Sequence, residues 1–181
     1  MQFLPAMRIA CVLAEGFEDS EFRKPYDAFR DAGHEVVVIG ANKGDKLAGK
    51  NGKEKTKADL GIDEAHAEDY HALFIPGGHS PDMLRADPRF VAFTKAFAER
   101  PILAICHGPQ LLMTAELVKG RKLTAWKTVQ GDLRGSGAEV VDEEVVVDGN
   151  LVTSRQPDDI PAFIERSLAT LRQSANTHAD A

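Results

Sequence analysis

Cys106 and His107 are adjacent in the sequence, directly after the apolar run "PILAI", and Gly108 and Pro109 follow them. The apolar run is typical of a buried strand. A helix is predicted from Gly108 to Val118, with the proline in its first turn. Hydrolases hold their nucleophiles in such tight strand-to-helix turns, because the turn lifts the side chain clear of the sheet. Packing alone would not require this order of residues, so Cys106 is predicted to be a nucleophile.

The start of the following helix should favour the charged form of Cys106, because free N–H groups and a positive dipole end lie there. A free cysteine has a pKa of about 8.5, and such surroundings lower it to roughly 3.5–7.5. We therefore expect Cys106 to be an exposed thiol that is largely ionised at neutral pH. Cys11 lies inside the first predicted strand among apolar residues and is predicted only to pack.

The stretch "IPGGHSPD" is the predicted partner of the cysteine turn. A glycine pair after a strand lets the backbone approach a ligand and turn its N–H groups toward developing negative charge. We predict an oxyanion hole at the loop of Gly77 and Gly78, formed by the amides of Gly78 and His107.

The composition argues against several function classes. A net charge of −6 disfavours specific nucleic-acid binding, which relies on Lys and Arg. No apolar run approaches the roughly 20 residues of a membrane span. The histidines lack metal-ligand spacing, so no metal is expected. No cofactor is expected either. Two distant cysteines and the absence of a signal peptide indicate the cytoplasm. The lysine-rich stretch from Lys43 to Lys57 is interrupted by glycines and is predicted to be a solvated hairpin or loop.

Strand and helix patterns alternate along the chain, which predicts an α/β fold with a mostly parallel sheet covered by helices on both faces. One domain is expected, with a core at about 8–172 and a frayed tail at 173–181. Ligands of such sheets bind outside the carboxyl ends of the strands. Three predicted loops lie there: Glu15–Glu21, Pro76–Asp82 and Cys106–Pro109.

Four stretches of the sequence resemble the PfpI intracellular-protease family, which belongs to the DJ/PfpI branch of the class I glutamine-amidotransferase-like superfamily. They are "AEGFEDSEFRKPYDAFRDAGHEVVVIG", "FIPGGHSPDMLR", "AICHGPQLL" and "VVVDGNLVTSRQPDD", in the family's order. The similarity runs from about Arg8 to Leu171. The cysteine elbow together with the Pro–Gly–Gly loop is a specific signal, whereas either one alone would be weak.

The resemblance implies a flavodoxin-like sandwich in which Cys106 is the nucleophile and the carboxyl group of Glu21 touches its sulfur. It also implies that His107 is oriented by an acid from a neighbouring subunit. Neighbouring side chains in a turn diverge, and the sequence shows no obvious acid within the subunit for this task. The matching position is Asp82, where the family commonly has Glu. Trp126 falls where the family has an aromatic residue near the mouth of the site, with a substrate-binding role and plain interface packing as the two alternatives.

The activities that the resemblance implies are those of a stress-response cysteine hydrolase that forms homo-oligomers. Its substrates would be small aldehydes, glycated proteins or peptides, as for a deglycase, a glyoxalase or a protease. A redox-sensing protein or chaperone whose Cys106 is oxidised without turnover is the alternative. A glutamine amidotransferase is disfavoured, because the late stretch "TSRQPDDIPAF" offers no histidine and His178 lies in the predicted tail.

Overall fold

The computed structural model describes residues 6–179, with the side chains of 178 and 179 left out. Its strands, in chain order, are β1 (Arg8–Val12), β2 (Glu35–Gly40), β3 (Lys46–Ala48), β4 (Lys55–Lys57), β5 (Leu60–Gly61), β6 (Ala72–Ile75), β7 (Ile102–Ile105), β8 (Lys122–Leu123), β9 (Glu139–Val140), β10 (Val146–Asp148) and β11 (Leu151–Ser154). Its α-helices are α1 (Asp19–Asp31), α2 (Ser80–Arg85), α3 (Pro88–Lys95), α4 (Pro109–Thr114), α5 (Lys127–Gly135) and α6 (Ile160–Ala179).

Seven of these strands form one sheet in the order β10-β11-β7-β6-β1-β2-β5. All neighbours in it are parallel except β10 and β11, which form the hairpin predicted around Gly149. The predicted flavodoxin-like α/β class is confirmed. The lysine-rich stretch forms a separate antiparallel hairpin of β3 and β4, as predicted.

Successive residues of β1 point to opposite faces of the sheet and enter two different cores. Ala10 and Val12 pack into the core that contains apolar residues of α2, α3, α4 and α5. Ile9 and Cys11 pack into the core that contains residues of α1 and α6. Cys11 is fully buried there, which confirms its predicted packing role. This alternation is what a strand covered on both faces requires.

Several local predictions differ from the structure. Helix α4 ends at Thr114 rather than near Val118. The predicted loop 76–82 contains the start of α2. Helix α5 was not predicted, because glycines at both 131 and 135 weaken its helical pattern.

The end of the chain is more regular than predicted. Helix α6 continues to Ala179, whereas a frayed tail was expected from 173. Ala175 is still buried, and the Thr177 hydroxyl donates a hydrogen bond to the carbonyl of Gln173. The expected fraying of 180 and 181 lies outside the described residues. Within the described residues, no helix is both long and apolar enough to cross a membrane.

Candidate active site

The predicted elbow at Cys106 is confirmed by its backbone. Cys106 has a φ of 63°, in the left-handed region that costs energy for a residue with a side chain. Its N–H donates to the carbonyl of Ser154 at 2.9 Å, which ties the turn to β11. A Cβ on Gly108 would lie 2.8 Å from the carbonyl oxygen of Ile75, so the turn requires glycine at that position. The fold therefore holds the cysteine in a strained conformation at the carboxyl end of β7.

Glu21 lies beside this cysteine, on the first turn of α1. Its side chain is completely buried, and neither carboxyl oxygen has a well-formed hydrogen bond among the described residues. The thiol of Cys106 and the N–H of Gly77 nevertheless face it. Burial raises the pKa of Glu21 to about 8, and the negative charge of Glu18 adds to this rise. Glu21 is therefore mainly a neutral carboxylic acid at neutral pH.

The other acids near Glu21 have structural tasks. Glu18 caps α1 by accepting the N–H of Glu21 at 2.9 Å. Asp19 accepts three backbone N–H groups from the loop between β3 and β4. Glu15 accepts the N–H of Ala48 at 3.0 Å. Of these four acids, Glu21 is the one that is fully buried against the cysteine.

His107 contacts the cysteine directly. Its Nδ1 lies 3.2 Å from Sγ of Cys106, so the expectation that the two side chains diverge is wrong. The left-handed turn at Cys106 bends the backbone and brings the two side chains together. Burial lowers the pKa of His107, and the positive charges of Lys50 and His79 lower it further. The imidazole is therefore neutral at neutral pH, and with its proton on Nε2 it can accept a proton from the thiol.

Trp126 orients this imidazole within the same chain. The indole stacks on the His107 ring at 6.2 Å between centroids and 25° between planes. The backbone N–H of Trp126 also donates to the carbonyl of Cys106 at 2.9 Å. The family resemblance placed Trp126 near the mouth of the site, but its stacking on His107 was not predicted, because the two residues lie on segments that only the fold brings together.

We predict that Trp126→Ala lowers kcat by roughly 10- to 100-fold, because the freed imidazole no longer points at the sulfur. Trp126→Phe keeps an aromatic face and should retain most of the activity. The pH profile of kcat separates this positioning role from simple packing, since the limb set by His107 should shift in the alanine variant alone. A Trp126→Ala protein with full activity would contradict the role of Trp126 in orienting His107.

The glycine loop presents its N–H groups to the two reactive side chains. The amides of Gly78 and His107 face the sulfur of Cys106, and that of Gly77 faces Glu21. A Cβ on Gly77 would lie 2.8 Å from Cβ of Cys106 and would collide with the Glu21 carboxyl group. Gly78 has a φ of 83°. The amides of Gly78 and His107 thus lie where the predicted oxyanion hole requires its donors, and Gly77 is where the loop packs most closely on Cys106 and Glu21.

The expected lowering of the Cys106 pKa is wrong. Burial raises the pKa of the thiol, and the charge of Glu21 raises it further, against a smaller lowering by the amides of His107 and Gly78. The residue is only 6% exposed, and α4 has only six residues, too short for a strong dipole. The repulsion by Glu21 requires an ionised carboxylate, which is a minor form at neutral pH. Cys106 is thus a buried thiol between a proton acceptor, His107, and a proton donor, Glu21.

Asp82 lies on α2, and its side chain is 74% exposed. Its charge raises the pKa of His107 within the same chain, but no hydrogen bond joins the two among residues 6–179. Its nearest cation is Arg85, at 4.0 Å. The chain therefore does contain an acid within electrostatic reach of His107, which the sequence did not reveal.

Comparison with known proteins shows the family of this chain. Residues 7–170 match the DJ-1/PfpI family. The chain belongs to the DJ-1/PfpI family. General stress protein 18 of Bacillus subtilis is 53% identical over 169 residues, covering 92% of this chain and 98% of the relative. Protein/nucleic acid deglycase 2 of Escherichia coli is 51% identical over 167 residues, covering 91% and 97%.

Solved structures of the family share the fold. A two-domain protein of Anabaena variabilis, with DJ-1/ThiJ/PfpI-like and ferritin-like domains, superposes with a TM-score of 0.89 at 38% identity. The match covers 91% of this chain and 48% of that protein.

Within the part of the chain that the structure describes, no three His, Cys, Asp or Glu side chains are grouped to hold a metal ion.

Proposed function

We propose that this DJ-1/PfpI member is a cofactor-independent cysteine hydrolase of the stress response. It acts on small electrophilic carbonyls or on their adducts with proteins, in the manner of a deglycase or glyoxalase. The observation that carries the proposal is the environment of one sulfur. Sγ of Cys106 lies 3.2 Å from Nδ1 of the neutral His107, and against the buried Glu21 carboxyl group with its pKa of about 8.

The burial of Cys106 favours a small substrate. A residue that is 6% exposed can be reached by a two- or three-carbon aldehyde, whereas a peptide bond needs an open cleft along its flanking residues. The name of the Escherichia coli relative, a protein/nucleic acid deglycase, supports the same class of substrate.

The first step on glyoxal is addition of sulfur to one carbonyl carbon. The thiol proton passes to Nδ1 of His107, the S–C bond forms, and the π electrons of the C=O bond move to its oxygen. The amides of Gly78 and His107 stabilise the negative charge on that oxygen. The proton of Glu21 then converts it to a hydroxyl group, which leaves a hemithioacetal, an imidazolium ion and a carboxylate.

The carboxylate of Glu21 can next remove the hydrogen from the carbon that carries sulfur and return it to the neighbouring carbon. The hydroxyl proton of the first carbon passes, through the imidazole, to the oxygen of the second. The product is a thioester of Cys106. Water cleaves its S–C bond and restores the thiol, so that glyoxal and one water give glycolic acid. No outside oxidant or reductant is needed.

Incubation with glyoxal in deuterated water, followed by proton NMR, tests this proposal. We expect glycolate with deuterium on the carbon that received the hydrogen, because the Glu21 proton exchanges with solvent. A fluorogenic peptide and a glycated peptide should be tested in parallel. Cleavage of the peptide bond without glyoxal turnover would contradict the carbonyl hydrolase and indicate a protease instead.

A redox-sensing role is the second candidate, and it is favoured by the carboxyl oxygens of Glu21, which lie beside the sulfur and have no well-formed hydrogen bond among the described residues. A protonated Glu21 could donate a hydrogen bond to a sulfinic acid at Cys106 and stop oxidation at that level. Peroxide treatment that modifies Cys106 before Cys11, in a protein that turns over neither carbonyls nor peptides, would establish this role instead.

A cytoplasmic location is also part of the proposal. Both cysteines are free thiols in the structure, which suits a reducing compartment.

We further propose that the active form is a homo-oligomer in which Asp82 approaches His107 of a neighbouring chain. The high exposure of Asp82 and the lack of a hydrogen bond to its own His107 among the described residues support this arrangement. Sedimentation should therefore show at least a dimer. Asp82→Ala should reduce kcat by roughly 10- to 100-fold, because the imidazole of the neighbouring chain loses the acid that orients it. A fully active monomer would contradict the proposal.

A further inference from the structure

Lys50 lies near this site, on a loop whose backbone is firmly anchored. The anchored loop, residues 49–54, connects β3 and β4. The carboxylate of Asp19 accepts N–H groups from Asn51, Lys53 and Glu54 at 2.9, 2.9 and 2.8 Å. Gly49 packs so closely on Asp19 that a Cβ would collide with the carboxylate. The anchored loop is therefore held against the start of α1, next to Glu21.

Lys50 connects the anchored loop to the oxyanion hole. The backbone N–H of Lys50 donates to the carbonyl of Phe17 at 2.8 Å. Phe17 in turn pairs with Gly78 through an isolated β-bridge. Gly78 in turn directs its N–H at the sulfur of Cys106. Two backbone contacts thus separate Lys50 from the residue that stabilises the reacting oxygen.

The ammonium group of Lys50 lies close enough to act on both proton-transferring residues. Its positive charge lowers the pKa of Glu21 and that of His107. The charges of Asp82 and Glu18 act on these two residues in the opposite direction. Lys50 is therefore the lysine whose ammonium charge reaches both His107 and Glu21.

No carboxylate among residues 6–179 forms an ion pair with Lys50. Nearby acids are engaged elsewhere: Asp19 accepts the backbone of the anchored loop, and Glu18 caps α1 and accepts from the amide of Asn51. By contrast, Arg23 on α1 pairs with both Asp27 and Glu54. An exposed cation with no ion-pair partner among the described residues, on an anchored backbone near His107 and Glu21, is suited to bind an anionic group of a substrate.

We propose that Lys50 selects aldehydes that carry a carboxylate or phosphate group near the carbonyl carbon. The inference rests on the proposed function and names its preferred substrate class. The carbonyl carbon would lie at Cys106 and its oxygen at the amide of Gly78, while the anionic group faces the ammonium of Lys50. A neutral aldehyde would bind without this last contact.

Alkylation of Cys106 tests the inference without any turnover. Iodoacetate and iodoacetamide are similar in size and differ in charge. The rate with iodoacetate divided by the rate with iodoacetamide therefore reports the electrostatic potential at Cys106, independently of the ionisation of its thiol. Lys50→Gln should lower this ratio roughly 3- to 10-fold at low salt, and added salt should shrink the difference. Lys50→Arg should keep the wild-type ratio. Lys46→Gln, an exposed lysine on β3, is the matched control and should leave the ratio unchanged.

Inhibition of glyoxal turnover gives the second readout. Glyceraldehyde 3-phosphate should inhibit wild type at lower concentration than glyceraldehyde. Inhibition by glyoxylate measures whether a carboxylate group is also preferred. Lys50→Gln should abolish the advantage of the charged compounds and leave inhibition by glyceraldehyde unchanged. An equal alkylation ratio in wild type and Lys50→Gln would overturn the inference, whereas absent glyoxal turnover in wild type would overturn the proposed function instead.

Discussion

Cys106→Ala should reduce turnover of glyoxals and glycated peptides by at least about a thousandfold, the scale seen when a nucleophile is removed. The sulfur is the atom to which His107, Glu21 and the amide of Gly78 are all directed. Because it forms the covalent bond to substrate, none of these groups can replace it. Steady-state rates by NMR or absorbance, compared with the uncatalysed reaction, provide the measurement.

Cys11→Ala is the matched control for this variant. Cys11 is completely buried in β1, and burial raises the pKa of its thiol well above the ordinary value. The substitution should cost roughly 0.5–3 kcal/mol of stability and leave kcat unchanged below the unfolding temperature. If both variants lost activity equally, or if Cys106→Ala kept wild-type rates, the nucleophile would be assigned to the wrong residue.

Glu21→Gln should lower kcat by roughly 10²- to 10⁴-fold, the range for loss of a general acid–base group. Glutamine keeps the shape and can still donate a hydrogen bond, but it cannot transfer a proton. In wild type, activity should fall as pH rises through about 8, since Glu21 then loses the proton that the first step requires. This limb of the kcat profile should be absent in Glu21→Gln. A variant that keeps both the rate and the limb would contradict the role of Glu21.

The same substitution should affect stability in the opposite direction. An unfolded glutamate ionises near its ordinary value of 4.5, whereas folded Glu21 ionises at about 8. Between these values the folded state binds one more proton, so the free energy of unfolding of wild type falls as pH rises. Glu21→Gln removes this dependence and should be the more stable protein near pH 8. Urea unfolding at several pH values measures this difference in the free energy of unfolding. A variant that is less active but more stable than wild type is expected when a functional site is built at a cost in stability.

The features that could be predicted from the sequence are mostly local ones. The elbow at Cys106 was predictable because an apolar strand, a cysteine, a histidine, a glycine and a proline follow one another directly. The glycine loop was predictable for the same reason, and the hairpin of β10 and β11 was visible in its turn at Gly149. The role of Glu21 required the family resemblance, because Glu15, Glu18 and Asp19 are equally plausible in the sequence alone.

The features that escaped the sequence depend on burial or on long-range contacts. The direction of the Cys106 pKa shift was wrong, because the burial of the thiol and the charge of Glu21 outweigh two amides and a short helix. The stacking of Trp126 on His107 joins segments that are separated by a helix and β8. The anchoring of the loop at Lys50 by Asp19 spans more than thirty residues. No local pattern marks such contacts.

The central claim is that carbonyl carbon becomes bonded to the sulfur of Cys106 during turnover. Rapid acid quenching of wild type with glyoxal, followed by peptide mass mapping, tests it most directly. The account predicts that the peptide containing Cys106 gains the mass of one glyoxal within a single turnover, and that this species decays as glycolate appears. Turnover with an unmodified Cys106 peptide, or with the added mass only on Cys11 or on lysines, would contradict it.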